Sequence, residues 1–193
     1  VTPAFAGAVL AGGASSRMGT DKALLVVDGH PLAVTATRAL EGAGAAAVQV
    51  IGGDRAGLHS LELDARPDDH PGAGPLGGII TALRLAEWDP VMILACDMPA
   101  VDATVVVAVL EALHARPDAD VAVAVIDGRR QILTAAYRRR ALHRLSEAFD
   151  AGERAPRRAV ERLRVVEVDG LDPDRLADVD RPSDLRRYAQ PEA

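Results

Sequence analysis

Residues 10–22 read LAGGASSRMGTDK, and how they are read decides the fold. A short apolar run, residues 5–10, leads into them. Glycines follow at Gly12 and Gly13, then Ser15, Ser16, Arg17, Asp21 and Lys22. Glycine has no Cβ, so the backbone at 12 and 13 can approach a ligand closely, and successive N–H groups there can form an anion nest. Arg17 adds a planar fork of donors and Lys22 a compact point charge. A buried strand that ends in such a loop is a place for a polyphosphate, beyond the carboxyl end of a strand in an α/β sheet. The spacing is not GxxxxGK[ST], which excludes a P-loop, and not GxGxxG, which takes support from dinucleotide binding.

Outward from this loop, apolar runs and turn signals alternate along the chain. Residues 6–10 form the first strand. Residues 23–27 are a short apolar piece that ends at Asp28-Gly29, and Pro31 opens a helix with Leu32, Ala36 and Leu40 at helical spacing. Residues 48–51 form the second strand, ended by Gly52-Gly53-Asp54. Residues 64–75 are polar and rich in proline and glycine, which predicts a loop, and residues 76–86 predict a helix. VMILA, residues 91–95, is the clearest central strand and runs straight into Cys96-Asp97-Met98-Pro99. A helix over 104–113, a strand over 119–126, a turn over 127–130, helices over 141–149 and from Pro156, a strand over 163–168 and a short helix near Pro182 complete the reading. Strands alternating with helices predict one α/β domain with a mostly parallel open sheet, helices on both faces and right-handed crossovers.

Composition bounds the function. The 193 residues carry a formal net charge of −6 and 3 % aromatics. No basic block dominates, so no nucleic-acid partner is expected. One cysteine, Cys96, excludes an internal disulfide framework and a thiolate-rich zinc site. No signal peptide and no membrane-spanning run is evident, so a cytoplasmic protein with no membrane partner is expected. The histidines show no HExxH or paired spacing.

Three further places can carry chemistry. Asp97 follows a buried strand, so its carboxylate emerges at the strand's end, where it suits Mg²⁺ together with phosphates and water; a turn or capping role is the alternative. Gly74-Pro75-Leu76-Gly77-Gly78 opens a helix. It either leaves room for a planar base or serves close helix–sheet packing. In DVDRPSDL, residues 178–185, Asp178 and Asp180 alternate around Val179 and share a side in extended chain. Asp184 reads as a helix cap, and Asp180 as a second candidate metal or acceptor ligand beside Asp97. Arg138, Arg139, Arg140, Arg144, Arg154, Arg157 and Arg158 read first as solvated faces, and the lone Cys96 as a buried, inert thiol.

The set LAGGASSRMGTDKAL, Asp68 with GPLGG, ACDMP and DVDRPSDL, in this order, resembles the molybdenum cofactor guanylyltransferases across nearly the whole chain. The resemblance implies a Rossmann-like nucleotidyltransferase fold, with a nucleotide part over about 1–100 and an acceptor part over about 101–189. It implies transfer of GMP from GTP to the terminal phosphate of the molybdopterin-bound cofactor, with Mg²⁺. Leu10, Ala11, Gly12, Gly13, Asp68, Gly74, Pro75, Leu76 and Gly77 would line the nucleotide. Lys22 would meet phosphate, Asp97 would hold the metal, and Arg17, Lys22 and Asp97 would carry the rate. Transient contact with proteins that deliver the cofactor or receive the product is implied too. The chain departs from the pattern at Ile51-Gly52 and at Ile132, which bears on the shape of the acceptor pocket. A cytidylyltransferase of the same pathway, a sugar-phosphate nucleotidyltransferase and a non-catalytic nucleotide-binding domain are the alternatives.

Overall fold

A computed structural model describes residues 4–12, 21–181 and 183–188. Gly13, Ser15, Ser16, Arg17 and Pro182 lie outside the described residues. Strand β1 (Ala6–Leu10) is buried along its whole length. A two-strand hairpin, β2 (Val26–Val27) with β3 (His30–Pro31), leads into α1 (Leu32–Gly42), and the chain returns as β4 (Ala47–Ile51), parallel to β1. Next come α2 (Arg55–Ser60), β5 (Ala65–Arg66), α3 (Pro75–Leu85) and β6 (Val91–Ala95). Beyond them lie α4 (Ala103–His114), β7 (Val121–Ile126), β8 (Arg129–Tyr137), α5 (Ala141–Asp150), α6 (Pro156–Val160) and β9 (Val165–Val168).

Seven strands form one sheet in the order β5-β4-β1-β6-β8-β7-β9. Its pairings are parallel except where β8 runs antiparallel to both β6 and β7. Side chains alternate between the faces of a strand, and the sheet is buried on both. Val9, Met92, Leu94, Ala122, Ala124 and Ala136 pack under α1 and α4. Leu10, Ile93, Val121, Val123, Ala135 and Tyr137 pack under α3, α5 and α6. This is the expected α/β domain, a mostly parallel sheet covered on both sides.

Three elements differ from the sequence reading. The predicted turn at 127–130 opens a nine-residue strand, β8, which the Asp127-Gly128 signal hides. Asp54, read as the end of a strand, caps α2 by accepting a hydrogen bond from Ala56 N at 3.1 Å. Within the predicted 64–75 loop, Ala65 and Arg66 pair with Val50 and Ile51 as a two-residue edge strand.

The order of the strands fixes where a ligand can sit. From β1 the chain moves to β4 and β5 on one side, then crosses back over α3 to β6 on the other. The carboxyl ends of β1 and β6 therefore diverge into a crevice, the topological switch point of such sheets. Cys96 N donates to Leu10 O at 3.3 Å, so the loops after these two strands start side by side.

Candidate active site

Lys22 begins a short 3₁₀ helix, Lys22–Leu24, and Asp21 holds that helix in place. One oxygen of Asp21 accepts from Ala23 N at 3.0 Å, and the other accepts from Asp54 N in the loop after β4. The side chain of Lys22 is thereby aimed at the end of β6. Its Nζ donates to Asp97 Oδ2 at 3.0 Å and to Asp180 Oδ1 at 2.8 Å. Burial pulls the Lys22 ammonium toward the neutral form, but its hydrogen bond to Asp180 and the charge of Asp97 outweigh it, so its pKa is raised. Lys22 is a fixed cation between two carboxylates.

Asp180 reaches this point because the chain beside it is anchored. Val179 is fully buried, and its N–H donates to Asp97 O at 2.9 Å. Asp184 accepts from Asp180 N at 3.0 Å and Arg181 N at 2.8 Å, so it does not cap the 3₁₀ helix it begins, as read from sequence, but shapes the turn that presents Asp180. Asp178 lies beside the pair; burial, then the charges of Asp180 and Asp97, push its carboxyl up. The sequence placed Lys22 on phosphate and Asp97 on metal; that the two would be joined to each other through 75 residues of separation was not legible in either motif.

On the β4 side the wall is backbone. Gly52 has φ +79°, and a Cβ there would sit 3.1 Å from Gly12 Cα and 3.2 Å from Gly12 N. Neither chain could approach the other with a side chain at 52, so where the chain departs from the family pattern at Ile51-Gly52 the wall is main chain. A Cβ at Gly52 would also come within 3.9 Å of Asp68 Cβ, which brings Asp68 to the same end of the sheet as Gly12. Asp68 is itself held: His70 N donates to its Oδ1 at 3.0 Å and Thr81 Oγ1 at 2.8 Å. Gly74 caps α3 and Pro75 takes its first turn. Leu76 is fully buried in the core under the sheet. Gly77 faces His70, whose Cβ would lie 2.7 Å from a Cβ at 77, so the close approach of this loop is what requires glycine there.

On the β8 side the crevice opens into a cleft of about 250 Å³ lined by Asp97, Met98, Gln131, Ile132, Thr134 and Arg157, among others. Asp97 is thus shared between a glycine-walled side and an open side. Cys96 does not take part: burial first, then the charge of Asp97, push its thiol up to about 12. The arginines of 138–140 lie at the opposite end of the sheet. Arg138 donates to Ala119 O and Leu113 O, and Arg140 to Asp120. Arg154 stacks on the Phe149 ring at 3.9 Å.

A profile of the MobA-like NTP transferase domain matches residues 7–168. The chain belongs to the MobA-like NTP transferase family. That family match takes in β1 through β9, and with them the Lys22 and Asp97 corner. The molybdenum cofactor guanylyltransferase of Burkholderia vietnamiensis is 37 % identical over 185 residues, 89 % of each chain. A probable molybdenum cofactor guanylyltransferase of Bacillus licheniformis is 33 % identical over 188 residues, 92 % of each. With relatives from Opitutus terrae and Methanothermobacter thermautotrophicus identity is 42 % and 43 %, but there the match spans about half the length of those curated relatives, 51 % and 50 %. Among solved structures, molybdopterin-guanine dinucleotide biosynthesis protein A from Archaeoglobus fulgidus superposes with a TM-score of 0.76 at 26 % identity, covering 95 % of this chain and 96 % of that one. Among the described residues, no helix is long and apolar enough to cross a membrane.

Proposed function

We propose that this NTP transferase moves the GMP part of GTP onto the terminal phosphate of the molybdopterin-bound molybdenum cofactor and releases pyrophosphate. The observation that carries the reading is the Lys22 ammonium held between Asp97 and Asp180 at the switch point, with a backbone wall on one side and an open cleft on the other. The names of the long-matching relatives supply the substrates that this corner would serve.

An oxygen of the acceptor's phosphate attacks the α-phosphorus of GTP. The bond from that phosphorus to the bridging oxygen breaks, and its electron pair leaves on pyrophosphate. A phosphate is already a nucleophile, so no serine or cysteine is needed, in keeping with the buried thiol of Cys96. Positioning and charge neutralisation then account for the rate. Lys22, released from its carboxylates, meets the phosphates of the leaving group. Arg17 is assigned the same task by its place in the same sequence motif. Main chain at Gly12 and Gly52 admits the nucleoside, with Asp68 beside it.

The donor set fits Mg²⁺. Two hard carboxylate oxygens, of Asp97 and Asp180, converge within 3.0 Å of one cationic atom. Mg²⁺ takes one or two carboxylates along with phosphates and water rather than an all-protein cage. Among the described residues no larger acidic or imidazole group gathers that could hold a metal alone. Asp97 and Asp180 would hold the ion, and when bound it would neutralise charge on the phosphates.

A thermal-shift panel tests the nucleotide. Binding to the folded state raises its apparent stability. GTP with Mg²⁺ should raise Tm more than CTP or ATP with Mg²⁺, and pyrophosphate should appear only when the cofactor acceptor is added. A larger shift with CTP would move the protein to cytidylyl transfer.

A further inference from the structure

Strand β8 changes register at the mouth of the open cleft. Val123 of β7 pairs with Ala135, but the next residue, Ala124, pairs with Gln131, so Ile132, Leu133 and Thr134 have no partner on that side. On the other side the ladder with β6 ends where Leu94 meets Thr134. The extra residues form a bulge beside the point where β6 stops and Asp97 begins. A bulge bends its strand and re-aims side chains, and it recurs next to active sites. Here it turns Gln131, Ile132 and Thr134 into the wall of the cleft that faces Asp97.

Two bonds tie the bulge down. Tyr137 is fully buried, and its hydroxyl donates to Ile132 O at 2.9 Å, five residues back along the same strand. Thr134 Oγ1 donates to Met98 Sδ at 3.5 Å, across the cleft floor. Burial pushes the Tyr137 phenol up, which keeps it protonated and a donor. A phenylalanine would fill the same space under α3 and α5, so packing explains the ring and leaves the hydroxyl with the bulge as its task. The nucleotide wall, at Gly12, Gly52 and Asp68, stands at the ends of β1 and β4, with β6 between those strands and β8.

We propose that Tyr137 is a positioning residue for the acceptor: its hydroxyl fixes the bulge of β8 as the wall on which a phosphorylated, planar heterocyclic acceptor lies with its phosphate toward Asp97. This rests on the nucleotidyl-transfer reading above, and it assigns the β8 side of the crevice to the acceptor alone.

The test is Tyr137→Phe in the full chain, with two dissociation constants measured by equilibrium dialysis, for the molybdopterin cofactor and for GTP, beside steady-state rates. Losing the donor to a buried carbonyl should weaken acceptor binding by ~10-fold and raise its KM in step, with GTP affinity and kcat at saturation unchanged. A purely structural tyrosine would lower Tm and leave both constants alone, and that result overturns the proposal; so does weakened GTP binding, which would give the cleft to the nucleotide. Should Tyr137→Phe fail to fold, Thr134→Val frees the same bulge from its other end and must show the same selective loss. Wild type that binds the acceptor but transfers nothing would refute the proposed reaction while the ratio of acceptor constants still decides the role of Tyr137.

Discussion

Lys22 is the residue in which the sequence and the structure speak to different moments. Its place after a glycine loop assigns it to phosphate, whereas in the protein alone its ammonium is satisfied by Asp97 and Asp180. Under the proposed function the two assignments would be stages of one exchange, in which nucleotide phosphates would draw the lysine away and leave a pair of carboxylates facing a vacated cation position. Lys22→Ala should therefore do two opposite things. Turnover should fall by about a hundredfold, the scale of losing one charge-stabilising donor. In the absence of nucleotide, Mn²⁺ should bind tighter by about tenfold, because two like charges are left without a cation between them. Electron paramagnetic resonance of Mn²⁺ titrated into the free protein reads the second effect without any assay of activity; unchanged or weaker binding would break the exchange argument. Asp21 has a task that the sequence reading did not assign to it. It stands in the DK pair, but its two oxygens cap the 3₁₀ helix and the loop after β4, and so aim the lysine.

Among elements, the N-terminal end of β7 is held by a clamp that plays no part in the crevice. Asp120 is 4 % exposed and accepts from Arg164 Nε and Nη2, from Arg164 N and from Arg140 Nε. The hydrogen bonds of Arg164, then those of Arg140, hold its carboxyl well below the usual carboxylate range. A carboxyl whose pKa is depressed on folding contributes stability above its unfolded pKa and loses it as pH falls toward the folded value. Asp120→Asn should cost about 1–3 kcal/mol at neutral pH, and the gap from wild type should narrow below pH ~4, where the unfolded carboxyl takes up its proton. Urea melts across pH 3 to 7 check this. A gap that stays constant across that range would mean that packing, not charge, holds the site.

The elements that sequence reading missed lie elsewhere, β8 starting at the opposite end of β7 where Arg129 pairs with Ile126. Residues 91–95 and 6–10 are unbroken apolar runs, and both are strands as read. β8 begins with Arg129, Arg130 and Gln131 after an Asp-Gly turn, so its polar start looks like more loop, and its antiparallel direction depends on pairing with two strands remote in sequence. α2 has a single buried residue, Leu58, too little for a helical period.

For the whole molecule, the alternation of strands and helices was legible, and so was Asp180 beside Asp97; that Lys22 would bridge the two was not. Gly12, Asp68 and Asp97 were readable as loop residues after strands, and the switch between β1 and β6 brings the ends of those strands together. Asp180 joins from 83 residues beyond Asp97 by the arithmetic of their numbers, through a chain pinned by Val179. DVDRPSDL pointed to Asp180 beside Asp97, but how the two are brought together, by sheet order and a buried valine, is written in no local pattern.

The sheet also ends in a particular way. One margin is β5, two residues long, and the other is β9, four residues long with Glu167 exposed and paired to Arg130 at 2.6 Å. Unpaired strand margins are where foreign chains add and fibrils start, and short, charged ones give such an addition little to grip. A solution of the native protein concentrated well past assay conditions should scatter light as a constant-size particle. Replacing Glu167 with Val would present a wholly aliphatic margin, VVVV, and scattering should then climb with concentration and time, long before the enzyme's fold is lost.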